Sequence, residues 1–145
     1  MQNSALTKEM LYDDEFITLY YEPSLSCIVK EWKKDVPENK FKEIIIHLLM
    51  QIVQTCQKYK GQVNLIADCR KLGANTFSTE VIDWLNAEVH KIYVMNKIQK
   101  KAFIASEDVM ANLSIVSYVS SVTTQEGFTM NIFQSEKDAI DWIKS

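Results

Sequence analysis

Val63–Arg70 reads VNLIADCR, an apolar run that stops on a charged pair, Asp68 and Arg70. Apolar character on both faces of so short a run is the pattern of a central strand covered on two sides. Arg70 is the only arginine among sixteen basic residues; the rest are lysines. The two residue types are not interchangeable where a planar, bidentate contact is needed. A lone arginine at a strand end therefore marks the place to look for a site.

Working outward, Glu15–Tyr21 alternates and is rich in β-formers, Glu22–Ser26 reads as a hairpin loop, and Cys27–Lys33 as the returning strand. Pro37 opens a long helix to about Tyr59, and Gly61 ends it. Beyond the central strand the pattern predicts a helix over 78–95, a strand over 101–105 and a helix over 107–124 with Gly127 as its stop. A last strand follows over 128–133. Ser135 and Asp138 then have the spacing of a capping box that starts a final helix. The order is β-β-α-β-α-β-α-β-α. Strands joined through helices pair in parallel, so the expectation is an α/β fold with a five-stranded mixed sheet. Residues 1–14 are expected to be a flexible leader and 15–145 a single domain.

Composition narrows the class. A chain of 145 residues is one domain by the usual prior, and a net charge of −3 gives no basic footprint for nucleic acid. Two lysine groups, Lys30, Lys33, Lys34 and Lys97, Lys100, Lys101, read as solvated faces. Three cysteines, Cys27, Cys56 and Cys69, are odd in number and form no CxxC, which suits free thiols in a reducing, cytoplasmic setting. The most apolar run, Ile44–Val53, is interrupted by His47 and Gln51 and is short of the ~20 residues a membrane span needs.

The hairpin ending Lys30-Glu31-Trp32-Lys33, the segment ADCRKLG (Ala67–Gly73) and the tail from Gly127-Phe128 through Phe133 and Ser135 to Ala139, Trp142 and Ile143 resemble the SpoIIAA-like superfamily. That superfamily includes the STAS domains. The resemblance is closest to a STAS-like branch related to CRAL-TRIO lipid-transfer domains. It covers Glu15 to the C-terminus and implies a module that binds a protein partner or its own copy. Phospho-switch members carry an Asp-Ser-Ser-Gly motif at a helix start. The matching segment here, Asn75–Glu80, keeps hydroxyls at Thr76, Ser78 and Thr79 as phosphorylation candidates but lacks the aspartate and glycine.

In open parallel sheets, ligands sit beyond the carboxyl ends of the strands. That rim collects Asp68, Cys69, Arg70, the loop with Thr76 and Ser78, Ser106–Asp108 and Gln134-Ser135. Either Arg70 meets an anion or a partner's carboxylate there, or Asp68 and Arg70 satisfy each other while the serines cap helices. Glu80, Glu107, Asp108 and Glu136 in the first helical turns offset the helix dipoles and argue against a phosphate; no glycine-rich nucleotide motif occurs. By periodicity both histidines, His47 and His90, face solvent, which leaves Ser78 and Cys69 without a base and gives no metal-ligand set. No cofactor is expected. An enzymatic reading would need a base near Asp68 or Cys69 that the chain does not advertise.

Phe77, Val81, Trp84 and Met95 fall on one flank of the second helix. They are read either as an exposed stripe for a homodimer partner or an acyl chain, or as a strip covered by its neighbours. Two functions follow. One is a non-enzymatic STAS-like interaction module, contacted at Phe77, Trp84 and Met95 and oriented by Asp68 and Arg70. The other is a binder of a small apolar or amphipathic, lipid-like ligand whose acidic head group meets Arg70.

Overall fold

The computed structural model describes residues 7–60, 62–121 and 127–145. The strands are β1 (Glu9–Asp13), β2 (Ile17–Glu22), β3 (Cys27–Trp32), β4 (Asn64–Asp68), β5 (Lys100–Ile104) and β6 (Thr129–Phe133). The helices are α1 (Glu38–Lys58), α2 (Thr79–Trp84), α3 (His90–Met95), α4 (Val109–Ser121) and α5 (Glu136–Lys144), with a π turn over Leu85–Val89 joining α2 to α3. The strands lie in one mixed sheet in sequence order, antiparallel for β1-β2-β3 and parallel for β3-β4-β5-β6. The expected mixed α/β sheet and interior position of β4 hold.

The strand count does not: six strands replace the expected five. The extra one, Glu9–Asp13, lies in the segment read as a flexible leader. Its register shifts between Met10 and Tyr12, so Leu11 and Tyr12 are both half-buried against the core and the period-2 signal is lost. Glu9 fastens the strand to the end of α1 by accepting from the Tyr59 hydroxyl at 2.7 Å and from Lys58 at 3.0 Å.

The three crossover connections place α1, α2–α3 and α4 on one face of the sheet, as crossovers of one hand over strands laid down in sequence require. Their buried residues share a single core: Phe41, Ile45, Leu48 and Ile52 from α1, Val81 and Leu85, Val89 and Tyr93, and Ile115 and Tyr118 from α4. The opposite face is covered by α5, whose Ala139 and Ile143 pack on Cys27, Val29, Ile66, Ala102 and Ile104. Lys100 donates to the carbonyls of Trp142 and Ser145, at 2.8 and 2.9 Å, and so holds the negative end of α5. Two-sided cover explains why VNLIA carries no polar alternation.

Ser78 and Ser135 cap α2 and α5 as expected, accepting from the N–H groups of Val81 and Asp138. The start of α4 differs. Asp108 accepts from Ala111 N–H there, and Ser106 lies one step further back. Gly61 and Thr124, read as helix ends, lie outside the described residues.

The second helix holds the main departure. His90, expected in solvent, is 2% exposed. At the π turn the His90 N–H donates to Leu85 O, five residues back. One widened turn carries one residue more than an α-turn. Downstream positions therefore rotate so that His90 and Tyr93 take the inward direction that an unbroken helix gives to Val89 and Ile92. Tyr93 is fully buried and Ile92 only partly. His47 is exposed as expected, edge-on to Tyr12.

Candidate functional site

The carboxyl ends of the parallel strands β3, β4, β5 and β6 lie along one rim of the sheet. Glu107 N–H donates to Arg70 O at 3.0 Å, and the Ser106 hydroxyl to Leu72 O at 2.6 Å, so the loops after β4 and β5 are tied together. Asp68 and Arg70 stand on this rim. The guanidinium is occupied by its neighbour: Nε donates to Asp68 Oδ1 at 2.9 Å and Nη2 to Oδ2 at 2.6 Å. That contact holds the arginine proton even more firmly. Around them is an open groove of about 410 Å³ that mixes Lys33, Arg70 and Lys71 with Glu31, Asp68 and Glu107. The charges balance within the protein, and Lys33 itself pairs with Asp13 at 2.7 Å. A second groove of about 340 Å³ continues over the far face beside α5, past Tyr20, Glu31, Asp68 and Glu136. Neither concentrates positive charge for an acidic head group.

The loop hydroxyls have structural partners. Thr76 is fully buried and donates to Val36 O at 2.7 Å, Ser78 is the cap of α2, and only Thr79 is exposed. The flank read as one apolar stripe is divided. Phe77 and Val81 belong to the core, Trp84 is half-buried with Lys42 Nζ 5.7 Å from its ring, and Met95 alone stands out, at 76% exposed. The reason is again the π turn, which rotates Met95 away from the line of Phe77 and Val81.

The cluster that the sequence reading missed lies beneath the helices. Lys30 and Lys101, read as members of solvated lysine groups, are 2% and 5% exposed. Strand alternation puts Lys30 on the face of Ile28 and Trp32, and Lys101 on the face of Phe103, which is the core face. Lys30 Nζ donates to the Tyr93 hydroxyl at 3.0 Å. Lys101 Nζ lies 5.3, 4.8 and 5.9 Å from the rings of Tyr93, Phe103 and Tyr118. His90 Nε2 and the Tyr118 hydroxyl share a hydrogen bond. Burial lowers each lysine to about 8, with Lys30 lowering Lys101 further, and lowers His90 to about 3 with help from both lysines. Burial pushes the Cys69 thiol up to about 12. Cys69 is thus a packed thiol and His90 a neutral imidazole. The signal was available in the strand alternation of CIVKEW and KKAFI.

Comparison with known proteins yields no match. No family model, curated protein or solved structure matches the chain. Among the described residues no three His, Cys, Asp or Glu side chains converge as a metal ion would need, and no helix is long and apolar enough to cross a membrane.

Proposed function

We propose that the chain is a non-enzymatic, cytoplasmic interaction module of the STAS-like kind, and that it binds a second copy of itself through the outer surface of its helical layer. The observation that carries this reading is α4. Its inner residues Ala111, Ile115 and Tyr118 are buried, yet its outer residues Val109, Met110, Leu113 and Val116 are also apolar and stand in solvent, Leu113 at 58% exposed. Apolar residues on both the inner and the outer side of a helix call for cover on both sides, and exposed apolar surface of this kind marks an interaction site.

The same layer offers a receiver for that ridge. Ile46, Leu49, Met50 and Val53 of α1, with Ile92 of α3, line an apolar groove of about 500 Å³. Val109, Leu113 and Val116 have the i, i+4, i+7 spacing with which a helix anchors in such a groove. Ridge and groove are different patches, so the contact is head-to-tail. The family reading is supported by the residues that carry the resemblance and by the element order from β2 onward; the cytoplasmic location by three free cysteines.

Sedimentation over a concentration series tests the reading. The chain should associate, while Leu113→Glu and Met50→Lys should each sediment as monomers. A mixture of those two variants should form one-to-one pairs, because the intact ridge of Met50→Lys can seat in the intact groove of Leu113→Glu. A wild-type chain that stays monomeric throughout overturns self-association, and two monomeric variants that fail to pair overturn the ridge-in-groove arrangement.

A further inference from the structure

We propose that Lys30 and Lys101 form an internal site for one small monovalent anionic group, held between β3, β5 and the underside of the helices. This site is independent of the contact surface proposed above. Lys30 on β3 stands opposite Ala67 on β4, and Ala67 stands opposite Phe103 on β5, two residues beyond Lys101. The small alanine leaves space between the two long side chains. Both lysines line a cavity of about 10 Å³ there, closed by apolar and aromatic side chains including Leu85, Phe103 and Tyr118. That volume admits one water-sized occupant.

The charge around the cavity is one-sided. Among the described residues neither lysine makes an ion pair. What faces them is each other at side-chain contact, the Tyr93 hydroxyl, the rings of Tyr93, Phe103 and Tyr118, the neutral thiol of Cys69 and, behind these, neutral His90. Two ammonium groups taken out of water into the same low-dielectric space repel each other and lose hydration. A single anion between them offsets both losses. The confined volume selects a monovalent, compact group over phosphate or sulfate. A halide comes nearest to that description, the flexible lysine stems yielding to its larger radius, and so does the carboxylate end of an apolar acid whose chain would part the surrounding aromatic residues. The adjoining π turn is a feature that recurs at functional sites.

Bromide and octanoate separate the two sources. Thermal melting is followed as sodium sulfate is replaced by sodium bromide at constant ionic strength. General salt effects favour sulfate as the stabiliser, so a rise in melting temperature with bromide reports a specific site. The wild-type chain should show that rise, and a crystal soaked in bromide should show an anomalous peak between the two Nζ atoms. Lys101→Met and Lys30→Met should lose both signals. Octanoate that stabilises the wild type and displaces bromide assigns the site to a carboxylate end; octanoate without effect assigns it to a free anion. No bromide peak, with wild type and variants melting alike in both salts and octanoate inert, overturns the proposal. The soaked wild-type crystal decides the matter even if neither variant folds.

Discussion

Arg70 closes a two-point clasp on Asp68, and the same carboxylate also accepts from the Arg70 backbone N–H at 3.2 Å. Three donors from one residue converge on a side chain only two positions earlier. The clasp fixes the turn that leaves β4 and satisfies the guanidinium locally. Its energetic value is modest because the Arg70 side chain is 44% exposed. Arg70→Lys, which keeps the charge but loses the planar fork, should lower unfolding free energy by about 0.5–1 kcal/mol. Urea unfolding measures this. A loss several times larger would mean that Arg70 does more than pair with Asp68.

The two buried lysines give stability an unusual pH dependence. Each has a folded value of about 8 against an ordinary 10.5. From about pH 8 upward the unfolded chain binds more protons on these residues than the folded one, so stability rises with pH. Above about pH 9 the buried thiols of Cys27 and Cys69 act the other way, because burial holds them protonated to about 12. The clean window is therefore pH 8 to 9, where the gain should be on the order of 1 kcal/mol. Lys101→Met should shrink that gain and raise stability at pH 7, since it removes a buried charge. A wild-type profile that is flat or falling across this window would contradict the burial of both ammonium groups.

Much of the architecture is legible in particular residues. The two-sided apolarity of Leu65–Ala67 announces an interior strand, and Ser78 and Ser135 announce the starts of α2 and α5, because these signals act over a few neighbouring positions. The rim that gathers Asp68, Arg70, Ser106 and Glu107 follows from strand direction alone. β1 escapes notice because its bulge cancels alternation. His90 escapes because a π turn has no side-chain signature, and one unseen extra residue rotates everything after it. Lys30 and Lys101 are a different kind of miss. Their strands alternate correctly and place them inward, but the usual solvation of lysine outweighs the pattern in any reading by residue type.

His90 supplies an acid-side test. Burial and the two lysines hold it at about 3 when folded, against an ordinary 6.5. Below about pH 6.5 the unfolded chain takes up a proton that the folded chain refuses, so stability is lost as pH falls toward 3. The slope should approach about 1.4 kcal/mol per pH unit from this residue. His90→Gln keeps a polar partner for the Tyr118 hydroxyl and does not titrate. Its stability should fall less between pH 6 and pH 4 than that of the wild type, measured by urea unfolding at each pH. Equal slopes for the two proteins would place His90 in contact with water.

The π turn makes a prediction that runs against ordinary expectation for a deletion inside a helix. Ala87 is exposed at the middle of the widened turn, and its neighbours Leu85 and Val89 are both buried. Removing Ala87 shortens the turn from five-residue to four-residue closure, so His90 and Tyr93 keep their inward direction on an unbroken α-helix. The remaining chain regains regular hydrogen bonding without losing a core contact. The deletion variant should therefore fold, retain the Lys30–Tyr93 hydrogen bond, and melt no lower than the wild type. Deleting Lys91, beyond the turn, offers no surplus residue to absorb. It should rotate Tyr93 out of the core and strip Lys30 of its acceptor, lowering the melting temperature sharply. Equal losses in the two deletions would show that the widened turn does not set the direction of α3.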